Sequence, residues 1–395
     1  MPIYLDHHST TPIRPEVLEA MRPYLTAEFG NASSGQHSFG WRAAEAVEKA
    51  REQVASLIGA QPKEITFTSG ATESNALAIR GYIEGLVRED RRLKQGSRHH
   101  MITSNVEHKA VLDNAQVCHD LYDVEVSALP VATDGSLSPD EVLAKIKDHT
   151  RLISIIWANN EIGTLNPVAD LADRIHKLRP DIVLHSDAVQ AGAYVEIDMQ
   201  KTRLDMLSLS AHKMYGPKGV GALYLRKKSP RLRLSPQFVG GGQELGLRSG
   251  TLNVAGIVGM GTAAELVQQQ RVHEAPRLAQ LRNHFAAQIT AQFPFASING
   301  PEEARLPNNL SVTFKSVDVP GLLADLMPIA ALSTGSACAS QTSEPSHVLK
   351  AIGLSDEHAR QTIRFGLGFS TTAADLDKVL EGLARFLPKR KLGGS

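Results

Sequence analysis

The stretch Leu207–Tyr224, LSLSAHKMYGPKGVGALY, decides the fold. An apolar run from Leu204 to Leu209 ends in Ser210-Ala211-His212-Lys213. A stiff turn follows, Gly216-Pro217-Lys218-Gly219, and a second apolar run leaves it from Val220 to Leu225. Lysine is ordinarily a solvated surface residue. Fixed just past a buried strand, it loses part of its hydration, its pKa falls, and its amine can form a Schiff base with a carbonyl. The plain alternative is a hairpin that carries a lysine by chance. The neighbouring strands decide between the two.

Upstream, Ile182 to His185 reads as a strand ending in Ser186-Asp187-Ala188-Val189-Gln190. Leu152 to Trp157 is a near-continuous apolar run, as in a central parallel strand, and ends in Ala158-Asn159-Asn160-Glu161-Ile162-Gly163. Ile65 to Thr68 is a strand that enters Ser69-Gly70-Ala71, with a helix starting near Thr72. Thr72 with Asn75, or Ser69 with Thr72 and Glu73, can cap that helix. Its free N–H groups and positive dipole end form an anion site, and small residues let an anion approach. The plain alternative there is an ordinary capped strand-to-helix turn. Helical patterns over 14–28, 41–58, 138–148 and 168–178 alternate with these strands, and another helix opens at Glu107-His108-Lys109. Strands alternating with helices predict a parallel sheet. The strand ends at Ser69, Asn160, Asp187 and Lys213 then converge on one crevice at the carboxyl edge, where His108 also lies at a strand-to-helix junction.

The totals narrow the function classes. The chain has 395 residues, 42% hydrophobic and 21% charged, with a formal net charge of zero. It can bury a large core, and nothing global points to a nucleic-acid or anionic-membrane partner. Two cysteines cannot build a disulfide framework, which fits a reducing compartment. The N-terminus MPIYLDHHSTTP lacks the basic and apolar regions of a signal peptide. No apolar run approaches the roughly 18 residues of a membrane helix. The expectation is a soluble cytoplasmic protein.

Beyond the sheet, residues 1–12 read as an extended arm. Asp6, His7 and His8 raise the thought of a metal site, but no further ligand cluster accompanies them, and a capped turn is the expectation. Gly240-Gly-Gly-Gln-Glu244 with Arg248-Ser-Gly-Thr251 is a glycine-rich loop or arm without the strand–turn–helix setting of a nucleotide fingerprint. A long helical region from Val254 to Phe293 links to an α+β part over 295–387, with strands near 310–314 and 331–333 and helices near 320–327, 345–352 and 373–387. Cys118 falls on a helix's apolar stripe and reads as core. Cys338 lies among small polar residues, STGSACASQT, where exposure and a thiolate-stabilising setting would make it reactive.

A Schiff-base lysine, a phosphate-type helix terminus and an aspartate at one strand-end crevice suit pyridoxal 5'-phosphate. The lysine takes the aldehyde, the helix end the phosphate, and the carboxylate keeps the pyridine nitrogen protonated. The motifs TFTSGATESN, NNEIG, HSDAVQ, SAHKMYGPKGVGALY, GGGQE with RSGT, and STGSACAS with EPSHVL resemble those of the cysteine desulfurases of the class V aminotransferase superfamily. The resemblance runs from about residue 3 to residue 385, and YLDHHSTTP at the N-terminus fits it. The form around Cys338 is similar to the housekeeping and nitrogen-fixation group.

The resemblance implies the fold type I of pyridoxal-phosphate-dependent transferases. That is a large domain, 14–258, with a mainly parallel seven-stranded sheet, plus a smaller α+β domain from 1–13 and 259–395. It implies that Lys213 carries the cofactor and that Ala71, Thr72, Ser210 and His212 hold its phosphate, with Thr251 reaching in from the other subunit of a homodimer. Asp187 matches the pyridinium partner, Gln190 and Asn160 the groups around the ring oxygen and substrate, and His108 the stacked acid–base histidine. Arg364 matches the clamp on the substrate carboxylate, a role for a bidentate guanidinium. Cys338 matches the nucleophile. The implied reaction turns L-cysteine into L-alanine and leaves a persulfide on Cys338 for a sulfur acceptor such as an iron–sulfur scaffold. A selenocysteine lyase or an aminotransferase on the same fold is the alternative, and an aminotransferase has no use for Cys338. A non-catalytic interaction protein predicts lost cofactor residues, yet Lys213, Asp187, His108 and Arg364 are all present.

Overall fold

The structure, a computed structural model, describes residues 1–94, 96, 98–228, 232–335 and 344–392. Cys338 lies outside the described residues, so the reading of its loop is left where the sequence puts it. The strands are β1 (Ile3–Tyr4), β2 (Ile65–Thr68), β3 (His100–Ser104), β4 (Glu125–Leu129), β5 (Thr150–Ser154), β6 (Val183–Asp187), β7 (Met206–Ser210), β8 (Gly221–Leu225), β9 (Ala296–Asn299), β10 (Asn309–Phe314), β11 (Ala330–Ala331) and β12 (Thr362–Gly366).

Seven of these form one sheet in the order β2-β8-β7-β6-β5-β3-β4. The pairs β3–β4, β3–β5, β5–β6 and β6–β7 are parallel, and β8 runs antiparallel between β7 and β2. Successive side chains point to opposite faces. Met101, Leu152, Val183, Met206 and Leu223 therefore pack on one side with Leu77, Ile83, Val111 and Cys118 of the helices Ala71–Leu93 and Lys109–Tyr122. Their neighbours Ile102, Ile153, Leu184, Leu207 and Tyr224 pack on the other side with Val47, Leu171, Ile175 and Met260. Helices cover both faces, which is why the inner strands read as apolar runs rather than alternating ones. Leu171 and Ile175 belong to the helix Val168–Leu178, which buries Val168, Leu171, Ala172 and Ile175 at helical spacing. Fully burying such a side chain contributes about 1.5–3 kcal/mol.

Buried polar groups on β5, β6 and β7 pair across strands. His185 on β6 bonds Ser154 on β5 at 2.8 Å and Ser208 on β7 at 3.0 Å. Burial pushes its pKa down to about 3, so it is a neutral cross-strand link. Cys118 is fully buried, and desolvation pushes its thiol up to about 12, which agrees with a core role.

A three-stranded antiparallel sheet, β12-β10-β9, and the parallel pair β1–β11 make up the other strands. The helix Val254–Gln292 runs unbroken through Pro276 and packs on the helices Ser38–Leu57 and Pro15–Leu25. The N-terminal arm ties the two sheets together. Leu5 N–H donates to Ala331, His7 N–H to Gly366 at the end of β12, and Thr11 N–H to His212 beside the lysine turn. No helix among the described residues is long and apolar enough to cross a membrane, and no group of metal-ligating side chains occurs among them. The arm wires the two sheets to each other and to the lysine turn.

Candidate active site

A cavity of about 470 Å³ opens at the carboxyl ends of the central strands. Ser69, Ala71, Thr72, His108, Asn160, Asp187, Gln190, Ser210, His212, Lys213 and Arg364 all line it. The convergence expected from the strand ends is thus present. Thr251 is exposed and does not line this cavity.

The anion end is built on glycine. β2 stops at Thr68, and the N-cap of the helix Ala71–Leu93 is Gly70, at φ 150° and with no side-chain cap. This corrects the capping expected from Ser69 or Thr72. The Glu73 carboxylate instead accepts from Ser69 N–H at 2.7 Å, and Arg248 neutralises it at 2.9 Å. β8 presses against this turn: a Cβ on Gly221 would lie 2.7 Å from Gly70 Cα. The first N–H groups of a 23-residue helix are left for a ligand, which is what an anion needs. His212 bonds Thr10 Oγ1 at 3.1 Å, and burial followed by the charges of Lys213 and Lys218 pushes its pKa to about 4.

β7 ends at Ser210, and a 3₁₀ turn, Ala211–Lys213, lifts the lysine over the cavity. Lys213 Nζ donates to the backbone carbonyls of His8 and Ser9, the latter at 2.8 Å. Two residues on, Tyr215 sits at φ 63°, a left-handed conformation that costs a non-glycine residue energy. It is held there by stacking on Phe369, by a 3.0 Å bond between its hydroxyl and that of Tyr194, and by Phe369 N–H donating to the same oxygen. The lysine turn is thereby fixed from below.

The Asp187 carboxylate, at the end of β6, accepts from Asn75 Nδ2 at 2.7 Å and from Val189 N–H at 3.1 Å. A second carboxyl, Glu107, is fully buried nearby. Burial, against bonds from Ser104 and Ile156 N–H, raises its pKa to about 8, and its Oε2 has no partner. It holds a proton at neutral pH. His108 caps the helix Lys109–Tyr122 by accepting Ala110 N–H on Nδ1, so its Nε2 carries the proton of the neutral ring.

Arg364 enters from β12. It donates to Asp6 Oδ1 at 2.9 Å, Ser9 Oγ at 2.8 Å and the Asn160 carbonyl at 3.1 Å. Its side chain is 2% exposed, and its Nε is buried without a partner. A buried guanidinium in the wall of a cavity is suited to an anionic ligand group. Asp6, His8, Ser9 and Asn75 belong to this site although the sequence reading did not place them there. The signal available was the arm's dense polar run, DHHST.

A larger concavity, about 880 Å³, lies at the opposite strand edge among Tyr82, Asp205, Arg226, Lys228 and Arg233. Its charges are spent on one another: Lys228 pairs with Asp205 at 2.8 Å and Arg233 with Glu89 at 2.8 Å. It has size without reactive groups.

Fold and site together define an enzyme of the pyridoxal-phosphate-dependent transferase fold type I. The family model for class-V aminotransferases matches residues 3–379. A cysteine desulfurase IscS of Anaeromyxobacter dehalogenans is 47% identical over 377 residues, 95% of this chain and 90% of that protein. A solved NifS-like protein superimposes with a TM-score of 0.88 at 34% identity, covering 98% of this chain and all of that one. A second structure, SspA in complex with cysteine, gives 0.79 at 36% identity, covering 92% and 98%. The chain belongs to the class-V aminotransferase family, in its cysteine desulfurase branch.

Proposed function

We infer that this protein is a cysteine desulfurase, converting L-cysteine to L-alanine and holding the released sulfur as a persulfide on Cys338. The observation that carries this is the single cavity in which Lys213, the uncapped end of the helix Ala71–Leu93, Asp187 and Arg364 meet. The residues fit pyridoxal phosphate: an amine for its aldehyde, free helix N–H groups for its phosphate, and a lone carboxylate for its ring nitrogen. When bound, the group supplies a ring that takes up electrons from the substrate's Cα.

The chain's own residues do the rest. Arg364, held by Asp6 and Ser9, orients the substrate carboxylate from the wall of the cavity it lines. Lys213 moves the Cα proton, and the arm carbonyls it now contacts keep its amine aimed into the cavity. His108 offers Nε2–H to a leaving or arriving atom. The Cys338 thiolate attacks the substrate sulfur, a sulfur–sulfur bond forms, and the carbon–sulfur bond breaks with its electrons returning to the carbon side.

We further propose a cytoplasmic homodimer that passes its sulfur to an acceptor such as an iron–sulfur scaffold. Thr251, outside its own cavity, and the exposed Phe238, Val239 and Leu245 on the same loop support the dimer. The division into 14–258 and 1–13 with 259–395 is part of the same reading.

The test is direct. Purified protein should absorb in the visible, borohydride should fix the cofactor on Lys213, and L-cysteine should yield alanine. Cys338→Ala should keep the colour and lose alanine formation. Sedimentation at twice the 42.7 kDa chain mass supports the dimer, and a monomer with full activity refutes it. Unchanged turnover in Lys213→Ala would end the proposal.

A further inference from the structure

The arm residue His8 has no assigned role, yet it is 2% exposed and wired to the candidate site on both ring nitrogens. Its Nδ1 lies 3.0 Å from Gln190 Oε1, and its Nε2 lies 3.2 Å from Asn309 Nδ2. Two backbone carbonyls settle which atom donates. Asn309 Nδ2 also faces the carbonyl of Glu161 at 3.2 Å, so nitrogen must stand there, and it donates to His8 Nε2. Gln190 Nε2 faces the carbonyl of His8 at 3.0 Å, so the Gln190 oxygen must be the atom turned to the ring. The imidazole is therefore the neutral Nδ1–H form, donating to Gln190 Oε1. Burial, then the charge of Arg364, pushes the His8 pKa to about 3, so this form persists through the working range.

Residue 8 thus holds Gln190 twice, through its ring and through its carbonyl. One of the two Nε2 hydrogens of Gln190 is committed to the His8 carbonyl, and the other is left to the cavity that Gln190 lines. We propose that His8 is a positioning residue that locks the Gln190 carboxamide with its N–H toward the ring oxygen of the bound cofactor. This rests on the pyridoxal phosphate reading of the cavity. Without the His8 ring, the amide keeps only the His8 carbonyl as a partner and turns its oxygen more readily to that place, where it would face a negatively charged oxygen instead of donating to it.

A donor at that oxygen stabilises its charge most when the Lys213–cofactor linkage has lost its proton. The donor therefore lowers the pH at which the linkage deprotonates, an event visible in the absorbance spectrum. Arg364, Lys213 and His7 face His8, and Asp187, His108 and His212 line the cavity with Gln190. All are retained in the variants below, so their titrations are common to the set.

The experiment is a spectrophotometric pH titration of purified holoenzyme without substrate, for the wild type, His8→Ala, His8→Asn, Gln190→Ala and the double variant His8→Ala/Gln190→Ala. The midpoint should rise by about one pH unit in His8→Ala, the scale of one lost hydrogen bond to a charged group. Gln190→Ala should show a similar rise, and the double variant no further one, because residues acting through one contact are not additive. His8→Asn, whose amide nitrogen takes the place of Nδ1, should restore the wild-type midpoint. An unchanged midpoint in His8→Ala, or additive shifts in the double variant, overturns the positioning role. A wild type that takes up no pyridoxal phosphate overturns the underlying reading instead, and the two failures are distinct.

Discussion

At the scale of single residues, the site is a set of groups whose partners settle their state. Arg364 is the clearest case, a buried cation with three of its five N–H donors spent on the arm and on Asn160 and two, on Nε and Nη1, left over. Lysine in its place keeps the charge but not the fork. Arg364→Lys should therefore raise KM for L-cysteine by roughly 10- to 100-fold, the scale of a lost charge-assisted hydrogen bond, with a smaller effect on kcat. Steady-state kinetics check this, and an unchanged KM removes Arg364 from the carboxylate. Lys213 and Asp187 were legible in the sequence because each follows an apolar run, and a parallel sheet sends such residues to one edge. Asp6, His8 and Ser9 were not. Their place depends on His7 N–H pairing with Gly366, across nearly the whole chain, and no local pattern encodes that contact.

At the scale of elements, the glycine-rich loop is tied to the sheet by charge. Glu244 has a side chain 2% exposed and receives both Arg51 Nη1 and Nη2 at 2.8 Å, plus Phe67 N–H on β2 at 2.8 Å. Glu244 and Leu245 lie at φ 49° and 56°, so the same contacts hold two strained residues in place. Arg51→Ala leaves a buried carboxylate without its cation, a loss of about 3–5 kcal/mol. Urea unfolding should show that loss, and limited proteolysis should open the chain near residues 240–250. Adding Glu244→Gln, which still accepts from Phe67 N–H without a charge, should recover part of it. Equal stability in Arg51→Ala and the wild type contradicts the clamp. Element reading from sequence followed burial in the same way. β2 and the helix Val168–Leu178 fall where expected because their patterns are strong. The charged segment 85–100 reads as a solvated helix end and loop, and the helix does end within it, at Leu93, braced by Arg88–Glu84 and Arg92–Glu89 pairs on its solvent face. β9 and β12 went unread: β9 is short and half-exposed, and β12 interrupts its apolar run with the buried Arg364.

At the scale of the whole molecule, neutral buried histidines make the fold sensitive to acid. His8, His100 and His185 have pKa values pushed to about 3, 4 and 3, each chiefly by burial, against 6.5 when exposed. Between those values the unfolded chain binds a proton at each position that the folded chain refuses. Their contribution is intact above 6.5 and is lost as pH falls below it. Glu107 works the other way. Its folded pKa of about 8 exceeds the ordinary 4.5, so the folded chain holds a proton there that the unfolded one releases, and this favours folding as pH falls. Over these four groups the unfolded chain takes up about two more protons near pH 5, a contribution of about 3 kcal/mol of lost stability per pH unit between roughly pH 6 and pH 5, and His212, held near 4, adds to it in the same direction. Glu107→Gln separates the two effects. Glutamine imitates the protonated acid, keeps an acceptor for Ser104 and Ile156 N–H, and cannot lose a proton. The variant should gain stability at neutral pH and then lose it more steeply on acidification, by about 4 kcal/mol per unit, since nothing then opposes the histidines. Urea midpoints across the same pH range decide the matter: parallel curves for the two proteins mean that Glu107 is ionised in the fold, and a flat wild-type curve means that the histidines are not held neutral.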